Sequence, residues 1–311
     1  MFQRLLPALT VLLYALGYPL GALTLGHVTP FLLILLRFLI SAVLMWTVVA
    51  VRRTPLPRGR LLAWTVAGGL LVQGVQFLGL YWGMAHGVGP GVAALVIAMN
   101  PVTTAVLARL VLGRRENSWG LVALALGMVG VVAACLPRLL ADPSVGPGLI
   151  TVLIALGGLS GGSLLQERKL RAVDPFVFTA IGVTVSVLPA AALALAVPQH
   201  LTDPVPAVAL LLLLVLASAA GMVCYAACVR SRGARGASIL FALIPAVSVI
   251  AAWGLQGAPL DLTTAVGLTC GALACAAQSR STRPTPGTPG RSGRSGRGGT
   301  GRAATVPERV R

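Results

Sequence analysis

The chain has 311 residues, 57% of them hydrophobic and only 10% charged, with a mean hydropathy of +0.90 and a formal net charge of +17. A soluble domain carries about 25% charged residues, so this composition excludes a water-soluble globule and points to a protein of the bilayer.

A hydrocarbon core about 30 Å thick is crossed by about 20 apolar residues in an α-helix. Apolar runs of that length, each with at most one charged residue, fall at 5–25, 31–51, 61–82, 91–112, 118–137, 147–166, 176–197, 205–228, 236–255 and 261–279. The runs are apolar all round, without the alternation of barrel strands, so ten transmembrane helices are predicted. The first, "MFQRLLPALTVLLYALG", has the basic start and apolar middle of a signal peptide. The spans that follow make an uncleaved first helix the better reading.

In chain order, each span with polar residues makes its own offer. Tyr14 and Tyr18 share a face of span one. Arg37, early in span two, is basic in a chain whose span cores hold no Asp or Glu. It either snorkels to the headgroups or attracts a carboxylate or phosphate. Gln73 and Gln76 follow in span three. Span four, "AALVIAMNPVTTAVLARLVLG", carries Asn100, Pro101, Thr103 and Thr104, and span nine carries Pro245. A proline lacks an N–H and crowds the carbonyl four residues back, so each predicts a helix break that lines a cavity or is satisfied by neighbours. For Asn100 the alternatives are cavity lining and a bond that glues two helices. Ser218, Met222 and Tyr225 share a face of span eight.

Basic residues mark every second connection: Arg52, Arg53, Arg58 and Arg60; Arg114 and Arg115; Arg168, Lys169 and Arg171; Arg230, Arg232 and Arg235. Because such loops are retained inside during insertion, both termini are expected in the cytoplasm. His27, His86 and His200 then fall in outward loops. Residues 280–311, rich in Arg, Gly and Pro, cannot bury a core and are read as a disordered cytoplasmic tail against anionic lipid. With no aromatic residue to stack on bases, the tail is not assigned a nucleic-acid partner.

An internal repeat organises the whole. A shift of 144 residues pairs Tyr81 with Tyr225, Pro101 with Pro245, Gly113 with Gly257 and Gly127 with Gly271. "VTPF" at 28–31 and "VDPF" at 173–176 open spans two and seven. Each copy holds an odd number of spans, so the second must face the opposite way. The basic loops agree: Arg230 and Arg235 align with His86 and Gly91, while Arg114 and Arg115 align with Ala258 and Pro259. The expected fold is an all-α integral membrane protein of ten helices in two inverted five-helix repeats, residues 1–140 and 141–279.

With "LRF" at 36–38, "NPVTTAVLARLVLGRRE" at 100–116 and "LLQERKL" at 164–170, these halves resemble the EamA-like transporters of the drug/metabolite transporter superfamily. The resemblance covers about residues 5–279. It implies export or exchange of small metabolites or drugs by alternating access, through a central cavity between the halves. There Tyr14, Arg37, Gln73, Gln76, Asn100, Pro101, Thr104, Ser218, Tyr225 and Pro245 are the candidate lining or binding residues.

The expected function is therefore a multi-pass transporter of the inner or plasma membrane for small polar metabolites such as amino acids. Lipophilic drug efflux is the alternative, and a non-transporting receptor or scaffold comes from another class. No nucleophile–base pair, HExxH or Walker motif is present, so neither an enzyme nor direct ATP use is expected. The cysteines form no CxxC and read as small apolar residues; no metal and no cofactor are expected. Expected partners are a small-molecule solute and the lipid bilayer, with a homodimer through small-residue motifs such as Gly267 and Gly271 possible.

Overall fold

The computed structural model describes residues 2–113, 118–238, 243–257 and 262–281. Residues 282–311, almost all of the expected basic tail, lie outside them. The helices are α1 (Phe2–Leu25), α2 (Pro30–Val51), α3 (Gly59–Gly69), α4 (Gln76–Ala85), α5 (Pro90–Ala98), α6 (Asn100–Leu112), α7 (Ser118–Ala141), α8 (Gly146–Lys169), α9 (Pro175–Ala196), α10 (Pro204–Ser238), α11 (Ile244–Gln256) and α12 (Leu262–Ser281). A π-helical stretch, Leu70–Val75, joins α3 to α4 without leaving the helix axis.

Prolines set where many helices begin. α2, α5, α6, α8, α9 and α11 all carry one in the first turn, where its missing N–H has no intrahelical partner to lose. Asp174 adds a side-chain cap to α9, accepting from the Phe176 N–H at 2.8 Å. Gly113 and Gly257 end α6 and α11 in the left-handed region, at φ 63° and 64°, which glycine enters without a Cβ penalty.

Among the described residues, six helical stretches are long and apolar enough to cross a bilayer: Leu5–Leu25, Pro30–Arg52, Gly59–Ala85, Pro143–Lys169, Pro175–Ala196 and Pro204–Met222. Pro90–Ala98 and Val102–Val111 are together apolar enough for a broken span or a re-entrant loop, bent by 42° at the break. Shorter apolar helices lie at Trp119–Gly130, Ile244–Gln256 and Ala265–Ala274. Leu110, Leu140, Leu188, Leu195 and Val205 are largely exposed on the outside of the bundle. An apolar surface of this kind suits hydrocarbon and would associate in water.

Two details depart from the expected spans. Span three is not a uniform α-helix but is widened at its centre by the π stretch. The connection expected after residue 228 is helical, because α10 continues to Ser238.

Helix boundaries recur between the halves. α1 and α8 are each 24 residues long and begin at 2 and 146; α6 and α11 are each 13 residues long and begin at 100 and 244. α2 and α9 are each 22 residues long, and α7 and α12 begin at 118 and 262. The most extensive packings all join one half to the other: α7 with α12, α1 with α10, α2 with α9, and α4 with α8. The pairs exchange as symmetry requires, since α1 packs on α10 and α11 while α8 packs on α4 and α6.

Close approach between the halves depends on missing side chains. A Cβ on Gly69 of α3 would stand 2.5 Å from the Cα of Gly182 on α9, so these helices touch backbone to backbone. Gly267 and Gly271 of α12 are buried: Gly271 faces Leu95 and Met99, and the Gly267 carbonyl lies against Gly130 of α7. The small-residue motif of the last helix is thus used inside the bundle.

Candidate functional site

Two polar clusters lie inside this apolar bundle. The first is built on Arg37, two turns into α2. It is 9% exposed, enclosed among the helices rather than turned to the outside of the bundle. Its Nη1 donates to the Tyr81 hydroxyl of α4 at 2.7 Å and its Nη2 to Ser218 Oγ of α10 at 3.2 Å. The guanidinium carbon sits 4.3 Å from the Phe77 ring centroid, one turn before Tyr81. Ser218 Oγ donates its own proton to the Leu214 carbonyl at 2.8 Å, which leaves its lone pairs for Arg37. Tyr18 of α1 packs against the buried cluster that contains Phe38 and Tyr81.

Each neighbour contributes a defined allowance. Gly21 of α1 leaves the room that Tyr81 occupies, since a Cβ there would lie 2.6 Å from the Tyr81 hydroxyl. Phe38 closes the apolar side, edge-on to Phe77 with centroids 6.3 Å apart. A hydrogen bond to a charged group contributes about 1.5–3 kcal/mol, and a desolvated cation–π contact about 2 kcal/mol. These offset much of the several kcal/mol that burying an ion costs. They do not neutralise it. Ion pairs among the described residues join His27 to Asp203, Arg52 to Asp174 and Arg171 to Glu167, all at helix ends, and none involves Arg37.

The second cluster sits at the break in span four. The chain leaves α5 at Met99, at φ −72° and ψ 1°, and re-enters helix at Asn100 with Pro101 in the first turn of α6. The Asn100 Oδ1 accepts from Ser160 of α8 at 3.0 Å and from Thr104 at 3.2 Å. Ser160 is fully buried. The amide oxygen therefore bridges the halves, and the gluing role expected as one alternative is present.

The other predicted residues are placed as follows. Gln73, in the π stretch, lays its Cγ against Gly182 of α9. Gln76 is buried at 8% exposure. Tyr14 is half-buried on α1 and packs against Gly221 of α10. Pro245 is buried at the start of α11 and lines a small apolar cavity of ≈ 80 Å³ with Leu95, Ala98, Leu243 and Leu268. The Pro101 and Tyr225 side chains lie outside the described residues. So Arg37 and Ser218 meet in one cluster, Asn100 and Thr104 in another, and Pro245 borders a separate, apolar space.

Three participants were not among the predicted residues: Tyr81, Phe77 and Ser160. Tyr81 had a signal, because it is the repeat mate of Tyr225 and an arginine without a carboxylate must find other partners.

The two halves differ where the first cluster lies. Counting from "VTPF" and "VDPF", the position of Arg37 is taken in α9 by Gly182, which closes on Gly69 by backbone contact. One copy of the crossing is polar and the other is sealed.

Comparison with known proteins agrees with this architecture. A family model described as "EamA-like transporter family" matches residues 3–135 and 146–279, one match for each half. A solved structure titled "Crystal structure of protein" superposes with a TM-score of 0.61 at 16% identity, covering 89% of this chain and 96% of that one, which shows a shared fold. No curated protein matches the chain.

Proposed function

The chain belongs to the EamA-like transporter family, and from that premise we propose that it exports or exchanges small polar metabolites, amino acids among them, by alternating access between two inverted five-helix repeats. That it is a multi-pass membrane transporter follows from the family and the apolar helices. The proposal adds the solute class, the plasma (inner) membrane, ten crossings with both termini in the cytoplasm, and the repeats at 1–140 and 141–279.

The observation that carries the solute class is the Arg37 cluster: a buried cation whose protein partners are hydroxyls and a ring rather than a carboxylate. A charge held this way at the junction of α2, α4 and α10 suits recognition of a polar solute. Lipophilic efflux finds support in one feature, the apolar cavity beside Pro245. Its ≈ 80 Å³ is far below the roughly 300–1,000 Å³ of pockets that enclose drug-sized ligands.

Cells that overproduce the protein and cells that lack it would be challenged with inhibitory amino acids, dipeptides and lipophilic drugs. Greater tolerance and external accumulation confined to the amino acids or dipeptides are expected; tolerance confined to the drugs would reverse the two readings. A reporter fused to the C-terminus is expected to be active only on the cytoplasmic side, and an external signal would overturn the topology.

A further inference from the structure

We propose that Arg37 is a receptor for a single carboxylate on the transported solute, and that the carboxylate takes the guanidinium away from Ser218 and so loosens the tie between the two halves. This rests on the transport reading above and narrows its solute class. Among the described residues Asp142, Glu167, Asp174 and Asp203 stand at helix ends or in connections, and in the sequence the other three acidic residues, Glu116, Asp261 and Glu308, fall outside the cores of the apolar runs. Arg37 is the one basic residue among the buried side chains of the described residues. A monoanion brings this site to neutrality, whereas a dianionic phosphate leaves a net negative charge in the same low-dielectric space.

Geometry agrees with that choice. The guanidinium is a planar fork that matches the two oxygens of a carboxylate by parallel N–H···O bonds. One of its faces is occupied by Phe77, so a ligand approaches along the edge, where the N–H groups point. The edge is occupied by two neutral acceptors, Tyr81 at 2.7 Å and Ser218 at 3.2 Å. Charge-assisted bonds to a carboxylate are roughly twice as strong as bonds between neutral groups. The longer bond, to Ser218, is the one to give way.

The consequence is mechanical. Arg37 and Tyr81 belong to α2 and α4 of the first half, whereas Ser218 belongs to α10 of the second. The Arg37–Ser218 bond therefore ties the halves, and the Arg37–Tyr81 bond lies within one. A ligand that displaces Ser218 weakens the tie and leaves Arg37 aligned by Tyr81 and Phe77. Phe38, edge-on to Phe77, makes the surroundings of the guanidinium apolar on that side.

The test measures thermal unfolding of the purified full-length chain in detergent with matched probes: free L-amino acids, their primary amides, and O-phosphorylated amino-acid amides, which carry phosphate but no carboxylate. Stabilisation by at least some free acids is expected, with affinity for the corresponding amides weaker by roughly 10- to 100-fold, the loss of one charge-assisted contact. Arg37→Gln should remove the discrimination between acid and amide, while Ser218→Ala should keep it and bind the acid more tightly. Amides that bind as well as acids, or stabilisation by the phosphate probe alone, would overturn the carboxylate assignment. Absence of a shift with every free acid would overturn it too. Transport of amides by cells would leave the broader reading standing, and failure of the cells to move any polar solute would remove both. If Arg37→Gln does not fold, Arg37→Lys serves instead: it keeps the charge but loses the fork, and weakened rather than abolished discrimination is expected.

Discussion

Gly69→Val is expected to lose about 3 kcal/mol of stability, the upper end of the range for overpacking a close contact, or to fail to accumulate in the membrane. The first atom of any side chain at Gly69 lands 2.5 Å from the Cα of Gly182, and a backbone carbon cannot rotate out of the way. The helices themselves must separate. That displacement would pass to the π stretch that begins one residue later and to Gln73, whose Cγ is already against Gly182. Gly17→Ala provides the contrast, because a Cβ at Gly17 meets nothing within 4 Å. There the change should be neutral within about 0.5 kcal/mol or slightly stabilising from helix propensity. Thermal unfolding in detergent compares the two, and a Gly69→Val protein as stable as the parent would mean that this contact does not hold the halves together.

The sealed Gly69–Gly182 crossing also explains why the two halves are not interchangeable. Repetition of helix lengths gives the bundle its pseudo-symmetry, but chemistry is unequal at corresponding positions: Arg37 against Gly182, and Asn100 against Ile244. Apolar surface drives neither choice, since lipid is as apolar as the helix faces, so small residues and hydrogen bonds set which helices meet.

Much of this was legible in the sequence, for physical reasons specific to each element. Long uncharged runs have one low-energy state in a bilayer, so the main helices follow directly from them. Pro101 at a helix start and the 42° bend beside it were foreseeable because proline cannot donate the interior bond. The matching starts of α6 and α11 followed from the paired prolines and glycines. The site was harder to read. Gln73 and Gln76 are three residues apart in span three, but the π stretch, which packs on α8 and α9, widens the turn between them. Ser160 sits inside "GGLSGGS", a run of small residues that carries no sign of its hydrogen bond to Asn100, 60 positions away. Arg37 was visible as a charge without a carboxylate, yet whether it turned outward or inward depended on Tyr81, Phe77 and Ser218, which lie 40 or more positions away.

The proposed alternating access has a handle in the connections. The α1–α2 loop and the α9–α10 loop are zipped together by the antiparallel Val28–Leu201 bridge. The Thr29 N–H donates to the His200 carbonyl at 3.2 Å, and the Thr202 N–H to the His27 carbonyl at 2.9 Å. Thr29 also bonds to the Gln199 side chain, and His27 stands 3.6 Å from Asp203. On the other side of α2 and α9, the halves meet through Arg52, 3.7 Å from Asp174 and 4.5 Å over the Phe176 ring, without a backbone zipper. If the solute passes by separation of the halves, the zipped loops must part in every cycle.

The direct measurement replaces Val28 and Leu201 by cysteine in a background free of the native cysteines and follows solute flux through vesicles that contain the purified protein. Bridged antiparallel residues have Cα atoms roughly 4.5–5.5 Å apart, within the reach of a disulfide. With a labelled amino acid to which the parent protein responds, flux is expected to fall to the protein-free level on oxidation and to return on reduction. Full cross-linking with undiminished flux would contradict transport by separation of the two halves.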